Sequence, residues 1–294
     1  MAPAPVPCWS DRMDHDEVLA LFDDRIRRNA QPDGPGVRIE RAGAVGAGHV
    51  AGAGHAAGRA RPAVGSVVRQ VGAASGWNGV LWSDLDEAGA DAVIEAQVRH
   101  FSDLGLEFEW KAYSHDRPAD LGERLLAAGF TPGPDEALMI ARIEDLPVDA
   151  ALPDGVRLQP VTDQAGVDLM MEAHEQAFGT DLPGLRERML DHLRHGTDTV
   201  SMVVAMAGDR PVSAARMELN PGTGFAGLWG GGTVPGWRGR GIYRALVAHR
   251  ARLAADLGYQ YLQVDASDES RPILQRLGFA WVSTTTPYVY RPSA

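Results

Sequence analysis

The feature that most constrains the fold is an internal repeat of one helix–strand–helix pattern in the two halves of the chain. In the first half, residues 91–113 are followed by residues 120–130, and in the second, residues 243–265 are followed by residues 270–279. Each copy reads as an amphipathic helix, an Asp-Leu-Gly stop, an apolar strand, a second helix and a Gly-Phe pair. Because both copies keep the same order, we expect two tandem α/β domains rather than two unrelated ones.

Two stretches interrupt this pattern. Residues 42–65 form an Ala/Gly tract without large apolar side chains, so we expect a flexible insertion that contributes nothing to a core. Residues 146–155 contain two prolines and a glycine between periodic segments. We therefore predict a first domain over residues 1–145 and a second over residues 153–294.

Composition excludes several classes of protein. The net charge of −11, concentrated in the first half, disfavours nucleic acid, whose binding depends on cations that contact phosphate. No apolar run approaches ~18 residues, so we expect no membrane span, and the start lacks the pattern of a secretory signal. Cys8 is the single cysteine, which fits a reducing, cytoplasmic setting without disulfides. The histidine pairs have no third ligand nearby, so we predict no metal site; these are His49 with His55 and His192 with His195.

The stretch that carries chemistry is residues 235–243, Pro-Gly-Trp-Arg-Gly-Arg-Gly-Ile-Tyr. Residues 211–219 and 225–234 flank an Asn-Pro-Gly turn and read as a β-hairpin, and an amphipathic helix follows from Ile242. A strand thus leads into a Gly/Arg loop that opens a helix, where backbone N–H groups converge on an anion. The pattern predicts a phosphate or pyrophosphate site. It is not the G-x-x-x-x-G-K-S/T nucleotide loop, because the lysine and the hydroxyl are missing.

This loop resembles the acyl-CoA loop of the GNAT acyltransferase superfamily, whose pattern is R/Q-x-x-G-x-G/A. Arg238, Gly241 and their spacing match, whereas Tyr243 stands where the pattern ends on a small residue. The resemblance extends over most of residues 153–294, and residues 1–145 look like a degenerate copy without the loop. It implies two GNAT-like domains, each a mixed, mainly antiparallel sheet flanked by helices.

The resemblance also implies an activity, an acetyl-CoA-dependent N-acetyltransferase in which a primary amine attacks the thioester directly. The acidic first half favours a cationic small molecule as the acceptor, and a peptide N-terminus or a lysine is the alternative. The sequence does not specify which amine is used or the oligomeric state of the protein. The pantetheine arm of acetyl-CoA would lie beside the strand that ends at Thr233 and Val234. The residues whose backbone amides would hold the diphosphate are Arg238, Gly239, Arg240, Gly241, Ile242 and Tyr243.

The catalytic groups are less clearly marked. Many family members carry a tyrosine four residues before the Gly-Phe glycine, where this chain has Leu274, and a glutamate on the strand before the loop, which residues 225–234 lack. Asp265 is a candidate that would orient or deprotonate an ammonium, or else cap the next helix. His174 is a candidate base or part of a solvated helix face. Tyr288 would line the acceptor pocket or donate a proton, or belong to the core.

Two alternatives stay open. The missing tyrosine and glutamate also fit a non-catalytic acyl-CoA-binding or regulatory protein. The run Gly230-Gly231-Gly232 suits a bulge or the close approach of a ligand, and it would leave room for an acyl group larger than acetyl.

Overall fold

The computed structural model describes residues 13–34, 36–43, 65–179, 184–195 and 199–292. Cys8 and most of the Ala/Gly tract, with His49 and His55, lie outside these ranges. The elements in chain order are α1 (His15–Phe22), a π-helical turn (Asp23–Arg28), β1 (Arg38–Ala42), β2 (Ser66–Val71), β3 (Gly79–Asp84), α2 (Ala90–Asp103), β4 (Phe108–Tyr113), α3 (Leu121–Ala127), β5 (Thr131–Pro132), β6 (Glu136–Arg142), β7 (Val156–Pro160), α4 (Gln164–Phe178), α5 (Leu185–His195), β8 (Val200–Ala207), β9 (Arg210–Leu219), β10 (Phe225–Thr233), α6 (Ile242–Asp256), β11 (Tyr261–Ala266), α7 (Arg271–Leu277) and β12 (Ala280–Tyr290).

The described chain divides into two compact units. The N-terminal unit comprises Leu19–Ala137 and the described part of Ser283–Ala294, and its strands run in the order β1-β2-β3-β4-β12, with β5 beside β12. The C-terminal unit comprises Leu138–Val282 and the described part of Met1–Val18, with the order β6-β11-β10-β9-β8-β7. Both units are mixed α/β and mainly antiparallel, which confirms the predicted fold class.

The structure also confirms the internal repeat. In the N-terminal unit, α2 connects the parallel strands β3 and β4, with Val80 opposite Trp110. In the C-terminal unit, α6 connects the parallel strands β10 and β11, with Ala226 opposite Leu262. The predicted hairpin is present as β9 and β10, which pair antiparallel.

The units differ from the predicted domain boundaries. Residues 146–155 lie inside the C-terminal unit, because the chain leaves the N-terminal unit within β6 and returns to it within β12. Backbone pairing decides this assignment, since Thr285–Tyr290 of β12 form an antiparallel ladder with Phe108–Tyr113 of β4. The residues of a strand indicate that it is buried, but they do not say which neighbour it pairs with.

In the C-terminal unit, the alternation of side chains along the strands separates two apolar faces. One face packs against α4 and α5, and the resulting core cluster includes Val167, Met170, Met189, Met202, Val204 and Ala214. The other face packs against the start of α6, and it includes Val203, Ala205, Ala215, Ile242 and Leu246. Within the described ranges, no helix has both the length and the apolar character that crossing a bilayer requires.

Candidate active site

The site is built where β10 and β11 part. Phe225–Gly227 pair in parallel with Tyr261–Gln263, but β10 continues to Thr233 and β11 to Ala266. Because the described pairing stops at Gly227, the later part of β10 has backbone N–H and C=O groups on an open edge. This edge can accept an extended ligand in the manner of an added strand.

A β-bulge lies on this open part of β10. The register with β9 shifts between Trp229 and Gly232, and Gly230 has a φ of 57°. A positive φ is accessible to glycine without steric cost, so the sequence permits the bulge here.

The two following glycines make room for side chains from both faces of the sheet. A Cβ at Gly231 would lie 3.0 Å from Cε2 of Tyr243 on α6, and a Cβ at Gly232 would collide with the ring of Phe178 on α4. These glycines therefore accommodate Tyr243 and Phe178, and they do not open space for a larger acyl group.

The end of β10 is anchored through its other edge. The Ser213 hydroxyl lies 2.9 Å from the Thr233 hydroxyl, and the amide of Val234 donates to the Val212 carbonyl at 3.0 Å. The chain then forms a single 3-10 turn over Pro235–Trp237.

The Gly/Arg loop that follows places an array of amides at the helix start. Gly239 and Gly241 have φ values of 74° and 84°, and Gly241 occupies the N-cap of α6 without a side-chain cap. The amides of Ile242 and Tyr243, in the first turn of the helix, have no intrahelical acceptor. The predicted arrangement of strand, loop and helix N-terminus is therefore present, in the geometry that binds anions.

The two loop arginines have different roles. Arg238 donates from Nε to the Thr233 carbonyl at 3.0 Å and from Nη2 to the Ala177 carbonyl at 2.8 Å. Its guanidinium thus ties the loop to the ends of β10 and α4. Arg240 is exposed, and its guanidinium lies 4.6 Å over the Trp237 ring, so its charge faces solvent beside the loop amides.

His174 is buried on α4 with 6% of its surface exposed. Its ring lies 4.6 Å from that of Phe178, the residue that packs on Gly232 at the bulge. Among the described residues its Nε2 has no hydrogen-bond partner. Burial lowers the pKa of the imidazole, and the charge of Arg216 lowers it further. His174 is therefore a neutral imidazole at pH 7 with one unpaired nitrogen, and the alternative of a solvated helix face is wrong.

Arg216 on β9 also belongs to this face. Its Nε contacts Oε1 of Glu218 at 3.2 Å, and its guanidinium lies 5.7 Å from the ring centre of Trp229. Arg216 was not among the residues predicted for the site. The signal was available in the alternation of β9, because Arg216 and Ala214 share a face and Ala214 belongs to the core under α4.

The other two catalytic candidates lie on β11 and β12. Asp265 is half-buried at the C-terminal end of β11, and the N-cap position of α7 is Ser270. Tyr288 belongs to the N-terminal unit, where it packs against the core cluster and its hydroxyl leaves no room for a Cβ at Gly122. Leu274, at the position of the usual tyrosine, is completely buried.

Arg250 is a buried residue of the site that was not predicted from the sequence. Arginine side chains usually lie on the exposed face of an amphipathic helix, but Arg250 is only 1% exposed. Its position one turn after the buried Leu246 was the available signal. Its Nε donates to the Leu246 carbonyl at 3.1 Å and its Nη1 to the Arg216 carbonyl at 3.0 Å. Burial lowers the pKa of this guanidinium to about 10.

The site thus combines an open strand edge with an amide-lined anion loop, and known proteins share parts of this architecture. Residues 167–279 match the model of the acetyltransferase (GNAT) family. A search of curated proteins finds no match for the chain. The match to this family covers most of the second half of the chain.

Solved structures extend the likeness to the whole chain. A GCN5-related N-acetyltransferase from Kribbella flavida aligns with a TM-score of 0.60 at 18% identity, over 78% of this chain and 87% of its own. A tandem GNAT protein from the clavulanic acid biosynthesis pathway, solved without acetyl-CoA, aligns with a TM-score of 0.57 at 13% identity, over 95% and 97%. These identities show the fold alone, and the fold is that of a tandem GNAT protein.

Proposed function

We propose that the protein is an acetyl-CoA-dependent N-acetyltransferase that moves an acetyl group to the primary amine of a small molecule. The observation that carries this proposal is the continuous path from the open edge of β10 to the uncapped amides at the start of α6. A pantetheine arm and a diphosphate would occupy these two parts in that order.

The donor is held mainly by backbone groups. The diphosphate would accept from the amides of Arg238–Tyr243, where the helix N-terminus favours negative charge. Arg240 would add a solvent-exposed positive charge, whereas Arg238 would act by holding the loop against α4. The pantetheine amides would pair with β10 before Thr233 and Val234, beside the bulge.

The acyl transfer needs a neutral amine. Most primary amines are protonated at pH 7, so a base must accept a proton before or during attack on the thioester carbonyl. His174 is suited to this task, because its unpaired Nε2 is neutral at pH 7 and lies on the face that adjoins the bulge. Asp265 remains a second candidate for orienting the ammonium.

The charge of the protein supports a cationic acceptor. The net charge is −11, and Glu218 provides a partly exposed carboxylate on the same strand as Arg216. An acidic surface raises the local concentration of a small cationic amine. We infer no nucleic-acid or membrane partner, and a cytoplasmic setting remains a prediction.

A non-catalytic acyl-CoA-binding protein is the second candidate. It is favoured by the buried Leu274, which removes the usual proton donor. Turnover separates the two proposals: release of CoA that depends on an added amine supports the enzyme, and tight binding without such release supports the binding protein.

The first experiment is a calorimetric titration of acetyl-CoA, followed by a screen of primary amines for CoA release. Gly241→Val should lower acetyl-CoA affinity at least about 30-fold, because valine at a φ of 84° is strained by about 1–3 kcal/mol and displaces the loop amides.

Gly236→Ala is the matched control. A Cβ at Gly236 meets no atom within 4 Å, and this residue precedes the amide array. Its affinity should equal that of the wild type. Equal affinities for Gly241→Val and the wild type, or no binding by the wild type, would overturn the loop assignment.

A further inference from the structure

Tyr243 and Arg250 form a pair on α6, and their side chains have no assigned role in the proposed acyl transfer. They lie two helical turns apart on one face, and both approach Gly231 at the bulge. The Cβ position of Gly231 is 3.0 Å from Cε2 of Tyr243 and 3.6 Å from Nη2 of Arg250. The phenol and the guanidinium therefore face the part of β10 that β11 leaves unpaired.

The guanidinium of Arg250 lacks a counter-charge. Its hydrogen bonds go to the backbone carbonyls of Leu246 and Arg216, and within the described part of the chain it forms no ion pair. A buried cation without a carboxylate is costly, and proteins retain such groups mainly at functional sites.

In the N-terminal unit, which lacks the Gly/Arg loop, α2 is the helix equivalent to α6. When the two Asp-Leu-Gly stops are aligned, Gln97 of α2 corresponds to Arg250 and Ala90 corresponds to Tyr243. Gln97 is also buried, but it is neutral, and its Oε1 accepts from Nη1 of Arg69 at 2.8 Å. The phenol and the unpaired cation thus occur together only in the copy that has the Gly/Arg loop.

Tyr243 has a hydroxyl that is available for chemistry. Tyr243 is half-buried, and among the described residues no hydrogen bond to its hydroxyl is formed. Burial raises the pKa of the phenol, and the positive charge of Arg250 opposes that rise. Arg250 is the charged group that acts on the phenol from the described elements packed around it.

We propose that Tyr243 is the proton donor to the leaving sulfur of acetyl-CoA, and that Arg250 is the positioning residue that holds and tunes it. The proposal rests on the proposed function. The amine nitrogen bonds to the thioester carbonyl carbon, the C–S bond breaks, and its electron pair goes to sulfur. The sulfur takes the proton from the Tyr243 hydroxyl, and the phenolate forms beside the Arg250 guanidinium. The phenolate then regains a proton from solvent, while the amine proton goes to the base.

The test is the pH dependence of kcat, measured as CoA release with acetyl-CoA and the best acceptor from the amine screen. Tyr243→Phe should lower kcat about 100-fold and abolish the alkaline limb, with acetyl-CoA affinity unchanged within about twofold. Tyr259→Phe is the matched control, because Tyr259 lies at the far end of α6, and it should behave as the wild type.

The role of Arg250 is tested by replacing it with glutamine, the residue at the equivalent position of α2. Arg250→Gln should move the alkaline limb to higher pH, because loss of the guanidinium raises the pKa of the phenol, and Arg250→Lys should keep the limb near its original position. A purely structural arginine would change kcat or thermal stability without moving the limb. Circular dichroism checks that each variant folds.

The outcomes separate the two proposals. If the wild type binds no acetyl-CoA, the proposed function fails and this inference fails with it. If the wild type binds and turns over acetyl-CoA but Tyr243→Phe keeps the wild-type kcat, only the proton-donor assignment is overturned. If Arg250→Gln leaves the limb unmoved, the positioning role is overturned.

Discussion

Both units have the same connection from a strand to a helix, but the residues of this junction carry opposite charges. In the N-terminal unit, residues 85–89 lead from β3 into α2, and the carboxylate of Asp86 accepts from the Gly89 amide at 2.7 Å. In the C-terminal unit, residues 234–241 lead from β10 into α6 with two glycines of positive φ and two arginines. One helix start already holds a carboxylate, and the other offers free amides and positive charge. The shared fold alone therefore does not create an anion site, and the residues of the loop determine whether one is present.

The cores of the two units are closely matched. Leu125 on α3 and Leu274 on α7 each lie four residues before a Gly-Phe pair, and both are completely buried. This likeness explains why the repeat is visible in the sequence although only one copy has the loop. Within the repeated helix–strand–helix segment, the units differ at polar positions of the junction and of the helix that follows.

The largest expected effect tests whether the N-terminal unit contributes stability only. Leu125→Ala should lower the free energy of unfolding by about 2–5 kcal/mol, because it leaves a cavity in a close-packed core. Calorimetric affinity for acetyl-CoA should stay at the wild-type value in the folded variant. Leu274→Ala is the matched variant in the other unit, with a loss of stability of similar size. A Leu125→Ala protein that folds normally but no longer binds acetyl-CoA would contradict the proposal that the N-terminal unit contributes stability only.

A smaller effect is expected from the candidate base, and it lies in catalysis rather than stability. His174→Gln should lower kcat about 100-fold, about 2.7 kcal/mol of barrier, with little change in the acetyl-CoA affinity. Because burial holds the pKa of His174 below the usual 6.5, the wild-type kcat should fall only as the pH drops below that value. The variant should lose this acid limb. The exposed His195→Gln serves as control, and an acid limb that survives in His174→Gln would exclude His174 as the base.

The repeat, the hairpin, the loop and the helix that it opens could all be predicted from the sequence, because each depends on local patterns. Glycines at positive φ and apolar residues at helical spacing leave a clear signal. Gly239 and Gly241 occupy the positions that the pattern predicts.

Features that depend on tertiary pairing were not predictable in the same way. The exchange of β6 and β12 between the units follows from which strand each one pairs with, and their residues do not specify a partner. The burial of Arg250 contradicts the usual exposure of arginine, so its position one turn after Leu246 is a weak signal that the contacts of α6 confirm. Tyr288 was a candidate for the acceptor pocket with the core as the alternative, and β12 carries it to the core of the N-terminal unit.

The central claim is that one of two equivalent helix junctions binds acetyl-CoA and the other does not. Hydrogen exchange measured by mass spectrometry, with and without saturating acetyl-CoA, compares both junctions in one sample. We expect protection of the amides at residues 228–233 and 238–244, with unchanged exchange at residues 85–90. Unchanged exchange at residues 238–244 under saturation, or protection at residues 85–90 instead, would contradict the account.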